Sequence, residues 1–232
     1  MARSVEQLVN QQILRWLKER EREERAPESR VQEAQRPMIT ISRQFGALGG
    51  EIGRRVAEQL DVGFYAQELV HEVARRADVR KQVVEALDER TQSRLEAWID
   101  DMMRMRSFTQ SDYVRSLSET ILALARHRSG VIVGRGAHLI LDPHRTLRVR
   151  AYALAEHRVQ YISQRDGMPL EEARHKVSRV DEERRVFYAR YFQSDITHAH
   201  NFDMMLNTGA MTLDECASTI VHAFRTRFGE PG

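Results

Sequence analysis

From residue 38 onward, short apolar runs alternate with stripes of helical period. MITIS (38–42) is β-branched and apolar, which predicts a buried strand. Gly49 to Leu60 carries Ile52, Val56, Ala57 and Leu60 at helical spacing. A short GFY segment follows, and then a long helical region, about 67–128, with few breakers. GVIVG (130–134), TLRVRAY (146–152) and DMMLNT (203–208) read as three further strands, the second with apolar and basic residues partly alternating. Helical patterns fill about 155–166 and 170–190, and Thr212 with Glu215 makes a capping box that opens a last helix, 213–227. Short buried strands separated by helices predict an α/β fold, a parallel sheet covered on both faces. The helical region at 67–128 enters it as an insertion.

Residues 1–37 are patterned differently. Val5, Leu8, Val9, Ile13, Trp16 and Leu17 form one apolar stripe, followed by the charge run KEREREER (18–25) and a linker-like APESRVQEAQRP. Such a stripe serves either a surface helix or a helix that meets a partner or a second copy through residues 5–17. Composition changes the picture little. Among 232 residues, 36 Lys and Arg against 34 Asp and Glu leave a net charge of +2, without the basic excess that marks a nucleic-acid binder. A single cysteine, Cys216, excludes an intrachain disulfide. The first residues lack the apolar core of a secretory signal, and no run is long enough to span a bilayer, so the expectation is a cytoplasmic protein without a membrane partner.

Ligands of open α/β sheets bind beyond the carboxyl ends of the strands. After the first strand comes SRQFGALGGE, a glycine-rich loop opening a helix, which suits phosphate through backbone N–H groups and the helix N-terminus. Aligned on Gly49 with the pattern G-x-x-x-x-G-K-[ST], the chain places Gln44 at the first glycine, Gly50 at the lysine and Glu51 at the hydroxyl. Only the second glycine matches, so a tight strand-to-helix turn explains the stretch as simply as a phosphate loop does. Arg135, directly after GVIVG, is placed either to hold an anion bidentately or to pair with a carboxylate at the sheet rim. His138 has no metal-type neighbours and reads as satisfied within the fold. In SRVDEERRVFYARYF (178–192), Arg179, Arg184, Arg185 and Arg190 interleave with acidic residues. The segment is either a solvated charged helix or a lid that brings arginines over a transferring phosphoryl group.

Together these stretches resemble the cytidylate kinase-like family: ISRQFG-x-x-GGEIGRRVAEQL, GFY-x-x-ELV, VIVGRGAHLIL, LRVRAYA-x-x-EHRV, DEERR-x-x-Y-x-x-x-YF and D-x-x-LNTG, in that order from about Met38 to Arg227. The resemblance implies a three-layer parallel sheet of P-loop kinase-like topology over about 38–230. It also implies a helical insertion that binds the nucleoside monophosphate and a lid at about 178–200. It implies transfer of a phosphoryl group from ATP, with Mg²⁺, to CMP, dCMP or a related monophosphate. Residue by residue, it puts Arg43, Gly46, Gly49, Gly50 and Glu51 at the ATP phosphates and Arg135 and Arg115 at the monophosphate. Asp181, Arg184 and Arg185 become the catalytic cluster of the lid. No metal-ligating residue is implied. The chain departs from the family pattern at Gly50, where a basic residue is common, and at Leu48, where a glycine is. It departs again at Ala66 and Gln67, in place of an aspartate and an arginine, and at Gly136, in place of an aspartate. Arg43 and Arg54 are the nearby cations that could stand in for the missing lysine. The expectation is a phosphotransferase; its alternatives are a nucleotide-binding regulatory protein on a kinase fold and an interaction protein working through the N-terminal helix.

Overall fold

The computed structural model describes residues 35–75, 80–81, 84, 89–105 and 111–231. The apolar stripe at 5–17 and the charge run after it lie outside the described residues. Strand β1 (Met38–Arg43) is followed by α1 (Gly49–Leu60), β2 (Gly63–Tyr65) and α2 (Gln67–Arg75). Next come α3 (Glu89–Met105), α4 (Asp112–His127), β3 (Gly130–Val133) and the single turn α5 (Ala137–Ile140). The chain ends with β4 (Thr146–Tyr152), α6 (Ala155–Asp166), α7 (Leu170–Phe192), β5 (Met204–Asn207) and α8 (Leu213–Phe228). All pairings are parallel, and the order is β2-β3-β1-β4-β5. The GFY segment is thus an edge strand beside β3; three residues are too few to display a period of two.

Successive strand residues face opposite sides, so β1, β2 and β3 each feed two cores, whereas the buried apolar residues of β4 and β5 all join one. Ile39, Ile41, Val131, Val133, Leu147 and Val149 pack with Ile52 and Val56 of α1 and Ile220 and Phe224 of α8. On the other face, Met38 and Ile132 meet Val70 of α2, Leu117 and Ile121 of α4, and Tyr188 and Phe192 of α7. The three-layer α/β architecture is therefore the one the alternation predicts, with α2, α3 and α4 inserted between β2 and β3. The capping box at Thr212 and Glu215 is also formed.

Helix α7 departs from a simple surface helix. It runs unbroken for 23 residues and joins two cores. Ala173 and Val177 pack with Val159 and Ile162 of α6, whereas Tyr188 and Phe192 pack under the sheet. Val177, Asp181, Arg184 and Tyr188 follow one another at steps of three and four, hence on one face. The inward face of α7 is apolar at both ends and charged in the middle.

His138, on α5, lies between Tyr188 and Phe202, with ring centroids 5.6 and 4.7 Å away. Burial, with Arg150 and Arg148 nearby, pushes its imidazole down to about 3. It is a core residue rather than a ligand, but it is not satisfied there as expected: its Nε2 is buried without a hydrogen-bond partner among the described residues. The unfolded chain takes up this proton near pH 6.5 and the folded protein only near pH 3. The stability difference is therefore absent above pH 6.5. Below it, stability is lost at about 1.4 kcal/mol per pH unit until the folded pKa is reached. His138→Leu should flatten the acid limb of stability between pH 6 and 4, read as urea midpoints against pH; an unchanged slope would remove His138 as its source.

Candidate functional site

The carboxyl ends of β1, β3 and β4 surround the glycine-rich loop, residues 44–48. The loop is tied to β4 at its start: the Gln44 N–H donates to the Ala151 carbonyl at 3.1 Å, and the Ala153 N–H donates to Gln44 Oε1 at 3.1 Å. Gly49 opens α1 against β1, where a Cβ would approach Arg43 Cβ to 2.8 Å. Leu48 precedes it with φ 57° and supplies no side-chain cap. The first N–H groups of α1 thus face the loop cavity without a capping side chain, as an anion requires.

Asp181 of α7 holds this loop. Its Oδ1 accepts the Phe45 N–H at 2.8 Å, and its Oδ2 accepts from Arg158 Nη1 at 2.5 Å. Arg158, on α6, is almost wholly buried; it also donates to the Phe45 carbonyl at 3.1 Å and, through Nε, to the Ala153 carbonyl at 3.1 Å. Arg184, one turn along α7, donates to the Arg43 carbonyl at 2.9 Å and lies over the Phe45 ring. The neighbouring Arg185 points outward, where it is bidentate to Glu182 at 2.7 and 2.6 Å. Asp181 and Arg184 are thus brought to the loop, and Arg185 is turned away from it by one helical step.

Arg43 sits at the centre. Its guanidinium donates to Gln67 Oε1 at 2.6 Å and packs against Gly134. Desolvation, with Arg184 and Arg135 close by, lowers it to about 10. Burial likewise lowers Arg184 and Arg150. Two cavities meet here and share Arg43, Gln44 and Arg184. The smaller, about 280 Å³, holds the loop glycines Gly46, Gly49 and Gly50 together with Glu51, Arg54 and Arg165. Gly50 has open space around it, with nothing within 4 Å of where a Cβ would stand. Glu51 is exposed, 3.5 Å from the Tyr161 hydroxyl. The larger cavity, about 520 Å³, lies between β4, α6 and α7.

Arg135 follows β3 in a left-handed conformation, φ 54°, and lies 5.6 Å over the Phe187 ring, close enough to Tyr113 to act on its hydroxyl. It is near enough to Arg43 and Arg184 to depress both. Arg115 is not brought to this centre. It pairs with Asp100 at 2.7 Å and Glu119 at 3.5 Å, and lines a separate cavity between α3 and α4. Among the described residues no cluster of His, Cys, Asp and Glu could hold a metal by itself. Arg150, Arg158 and Arg165 were not visible as site residues in the sequence. Arg150 alone left a trace, a charge in the alternation of TLRVRAY on a strand flanked by strands on both sides.

The model of the cytidylate kinase-like family matches residues 38–210. No curated protein sequence matches the chain. Among solved structures, an uncharacterized protein from Eubacterium ventriosum is 20% identical, covers 82% of this chain and 99% of its own, and superposes with a TM-score of 0.59, which shows a shared fold. Two shikimate kinases are more loosely similar. The Acinetobacter baumannii enzyme, solved with shikimate, is 16% identical over 82% of this chain and 94% of its own, TM-score 0.44. The Bacteroides thetaiotaomicron enzyme is 12% identical over 82% and 96%, TM-score 0.41. No helix among the described residues is long and apolar enough to cross a membrane.

The Asp181 side chain is 28% exposed and Arg158's 8%. Removing the carboxylate leaves a buried guanidinium unpaired, which costs about 3 kcal/mol. Asp181→Ala should therefore lower stability by about that amount in urea unfolding. Asp181→Asn, which keeps an acceptor for the Phe45 N–H, should recover part of it; equal losses in the two variants would show that the loop contact contributes nothing.

Proposed function

We propose, because the chain belongs to the cytidylate kinase-like family, that it is a nucleoside monophosphate kinase-like phosphotransferase. Its donor is ATP with Mg²⁺, and its acceptor is CMP, dCMP or a related monophosphate. One observation carries this reading: an uncapped helix N-terminus and a glycine loop face a cavity bordered by Arg43, Arg54, Arg165 and Arg184. Phosphoryl transfer needs little covalent chemistry from the protein and much charge stabilisation. The new bond joins the acceptor's phosphate oxygen to the γ-phosphorus as the bridging bond to ADP breaks, so negative charge spreads over the transferred oxygens and the departing diphosphate.

In this reading the N–H groups of Gly46, Gly49 and Gly50 hold the ATP phosphates, and Arg43 and Arg184 meet the charge that develops between donor and acceptor. Asp181 is a positioning residue, which fixes the loop through Phe45, and Arg185 stays in reserve on the outer face of α7. Arg135 lies on the acceptor side, beside Tyr113 and Phe187. Arg115, paired on α3 and α4, has no part in the resting site. Mg²⁺ keeps several waters and binds through phosphates and one or two carboxylates. Glu51 and Glu68, which line the loop cavity, fit that requirement. When bound, the ion neutralises phosphate charge.

A second reading, nucleotide binding with little turnover, is favoured by the bare Gly50 and by Ala66, where the family commonly has side chains that handle phosphate and acceptor. Incubation with ATP-Mg²⁺ and a panel of nucleoside monophosphates separates the two. ADP and a nucleoside diphosphate are the expected products; a thermal shift without product would establish the second reading, and neither shift nor product would remove both. Gly50 has room for a side chain. Gly50→Lys should therefore raise the rate of ADP formation by about tenfold or more, since one positioned cation contributes several kcal/mol to such a transition state. An unchanged rate would mean that the arginines already supply the charge.

A further inference from the structure

Arg43 lies in a slot that two glycines leave open. Its stem passes Gly49, where a Cβ would approach Arg43 Cβ to 2.8 Å, and its guanidinium crosses Gly134, where a Cβ would run into Nη1. Gly49 opens α1 and Gly134 follows β3, so two separate elements leave room for one side chain. Gln67 closes the far end, its Oε1 accepting from Arg43 Nη2 at 2.6 Å. Gln67 is the first residue of α2, and its backbone is fixed by Tyr65 before it and Val70 one turn on, both fully buried. Among the described residues no carboxylate stands at bonding distance from Arg43.

A neutral acceptor sets this arginine apart from others of the fold. Arg158 meets Asp181, Arg148 meets Asp203 and Arg115 meets Asp100. A carboxylate at the end of the slot would hold the guanidinium in place and cancel its charge. An amide oxygen fixes the same direction and leaves the charge standing. Keeping it charged is costly: desolvation, with Arg184 and Arg135 beside it, lowers Arg43 to about 10, and Glu68 offsets only part of this. Cations taken out of water are ordinarily paired. Arg43 and Gln67 line the same cavity as Gly49 and the bare Gly50. A cation held rigid and uncancelled there is arranged for an anion that comes and goes.

We infer that Gln67 is a positioning residue, which holds Arg43 beside the phosphate loop as the cation that position 50 lacks, through a bond that leaves the arginine's charge uncancelled. The inference rests on the reading of the glycine-rich loop as a phosphate loop. In that reading Arg43 meets the terminal phosphate of ATP, so Gln67 acts on ATP and not on ADP.

The test is isothermal titration of the full chain with ATP-Mg²⁺ and with ADP-Mg²⁺, no monophosphate being present, beside urea midpoints of the same proteins. Gln67→Met removes the acceptor at nearly constant length and adds no charge. It should weaken ATP about tenfold, the scale of one hydrogen bond to a charged group, and leave ADP within about twofold. Gln67→Glu should weaken ATP at least as much and yet raise the urea midpoint, because it pairs the arginine. Binding and stability then move in opposite directions, which a residue serving the fold alone would not produce. On an Arg43→Met background, Gln67→Met should change ATP affinity by less than about twofold, since its effect passes through Arg43. ATP bound by Gln67→Met as tightly as by the unaltered chain overturns the inference and leaves the phosphate loop in place. Equal losses of ATP and ADP, a lowered urea midpoint in Gln67→Glu, or a full further loss on the Arg43→Met background overturns it in the same way. An unaltered chain that binds neither nucleotide removes the phosphate-loop reading itself, and the role of Gln67 with it.

Discussion

The carboxylate of Asp181 is the point through which the other parts of the site are joined. It accepts the Phe45 N–H from the loop after β1 and the Arg158 guanidinium from α6, while sitting on α7. Three elements whose apolar side chains meet in one small cluster, with Phe45 of the loop packed on it, are thereby fixed in one arrangement. The same contact explains why α7 can run for 23 residues across two apolar cores. Its inward face must pass over the loop between those cores, and a carboxylate and a guanidinium satisfy there the backbone groups that an apolar side chain would leave unpaired.

Much of the architecture was legible because it rests on local rules. The four apolar runs became β1, β3, β4 and β5, and the capping box opened the last helix where Thr212 and Glu215 placed it. The parallel sheet followed from strands separated by helices. The site was legible only in part, since its logic is one of direction rather than of residue type. Arg184 and Arg185 are equivalent as letters, yet one step along a helix turns a side chain by about 100°. Arg184 reaches the loop and Arg185 reaches Glu182. The discriminating signal was present in the spacing of Val177, Asp181, Arg184 and Tyr188, a stripe whose middle is charged. Arg115 shows the converse: its partners Asp100 and Glu119 come from helix packing, which no motif encodes. Arg158 was hidden for a similar reason, because a lone arginine in an amphipathic helix reads as surface until its neighbours are known.

Charge at the site is distributed unlike that of a loop with its own lysine. A lysine at position 50 would be a point charge on a flexible stem, delivered from within the loop. Here the nearby cations are guanidinium groups that enter from the ends and sides: Arg43 from β1, Arg184 from α7, Arg135 from behind β3. They are crowded, and each makes the next less comfortable. Burial and its arginine neighbours hold Arg43 near 10, which still leaves it protonated at neutral pH by about three orders of magnitude. The folded protein therefore retains a group of cations under mutual repulsion.

That repulsion bears differently on binding and on catalysis. An arriving phosphate relieves it whatever its exact position, because Coulomb attraction falls off slowly over the few ångströms separating these guanidinium groups. In the proposed reading, binding thus tolerates the bare Gly50. Transfer does not share that tolerance, since only interactions that strengthen in the transition state accelerate it. A guanidinium already committed to a carbonyl or an amide, as Arg184 is to the Arg43 carbonyl and Arg43 is to Gln67, must exchange partners or share donors to follow the moving charge. In the proposed reaction helix α7 would govern that exchange, because Arg184 and the loop-holding Asp181 lie one turn apart on its inward face. Any motion of α7 that frees Arg184 for a phosphoryl group also strains the contact that shapes the loop receiving it.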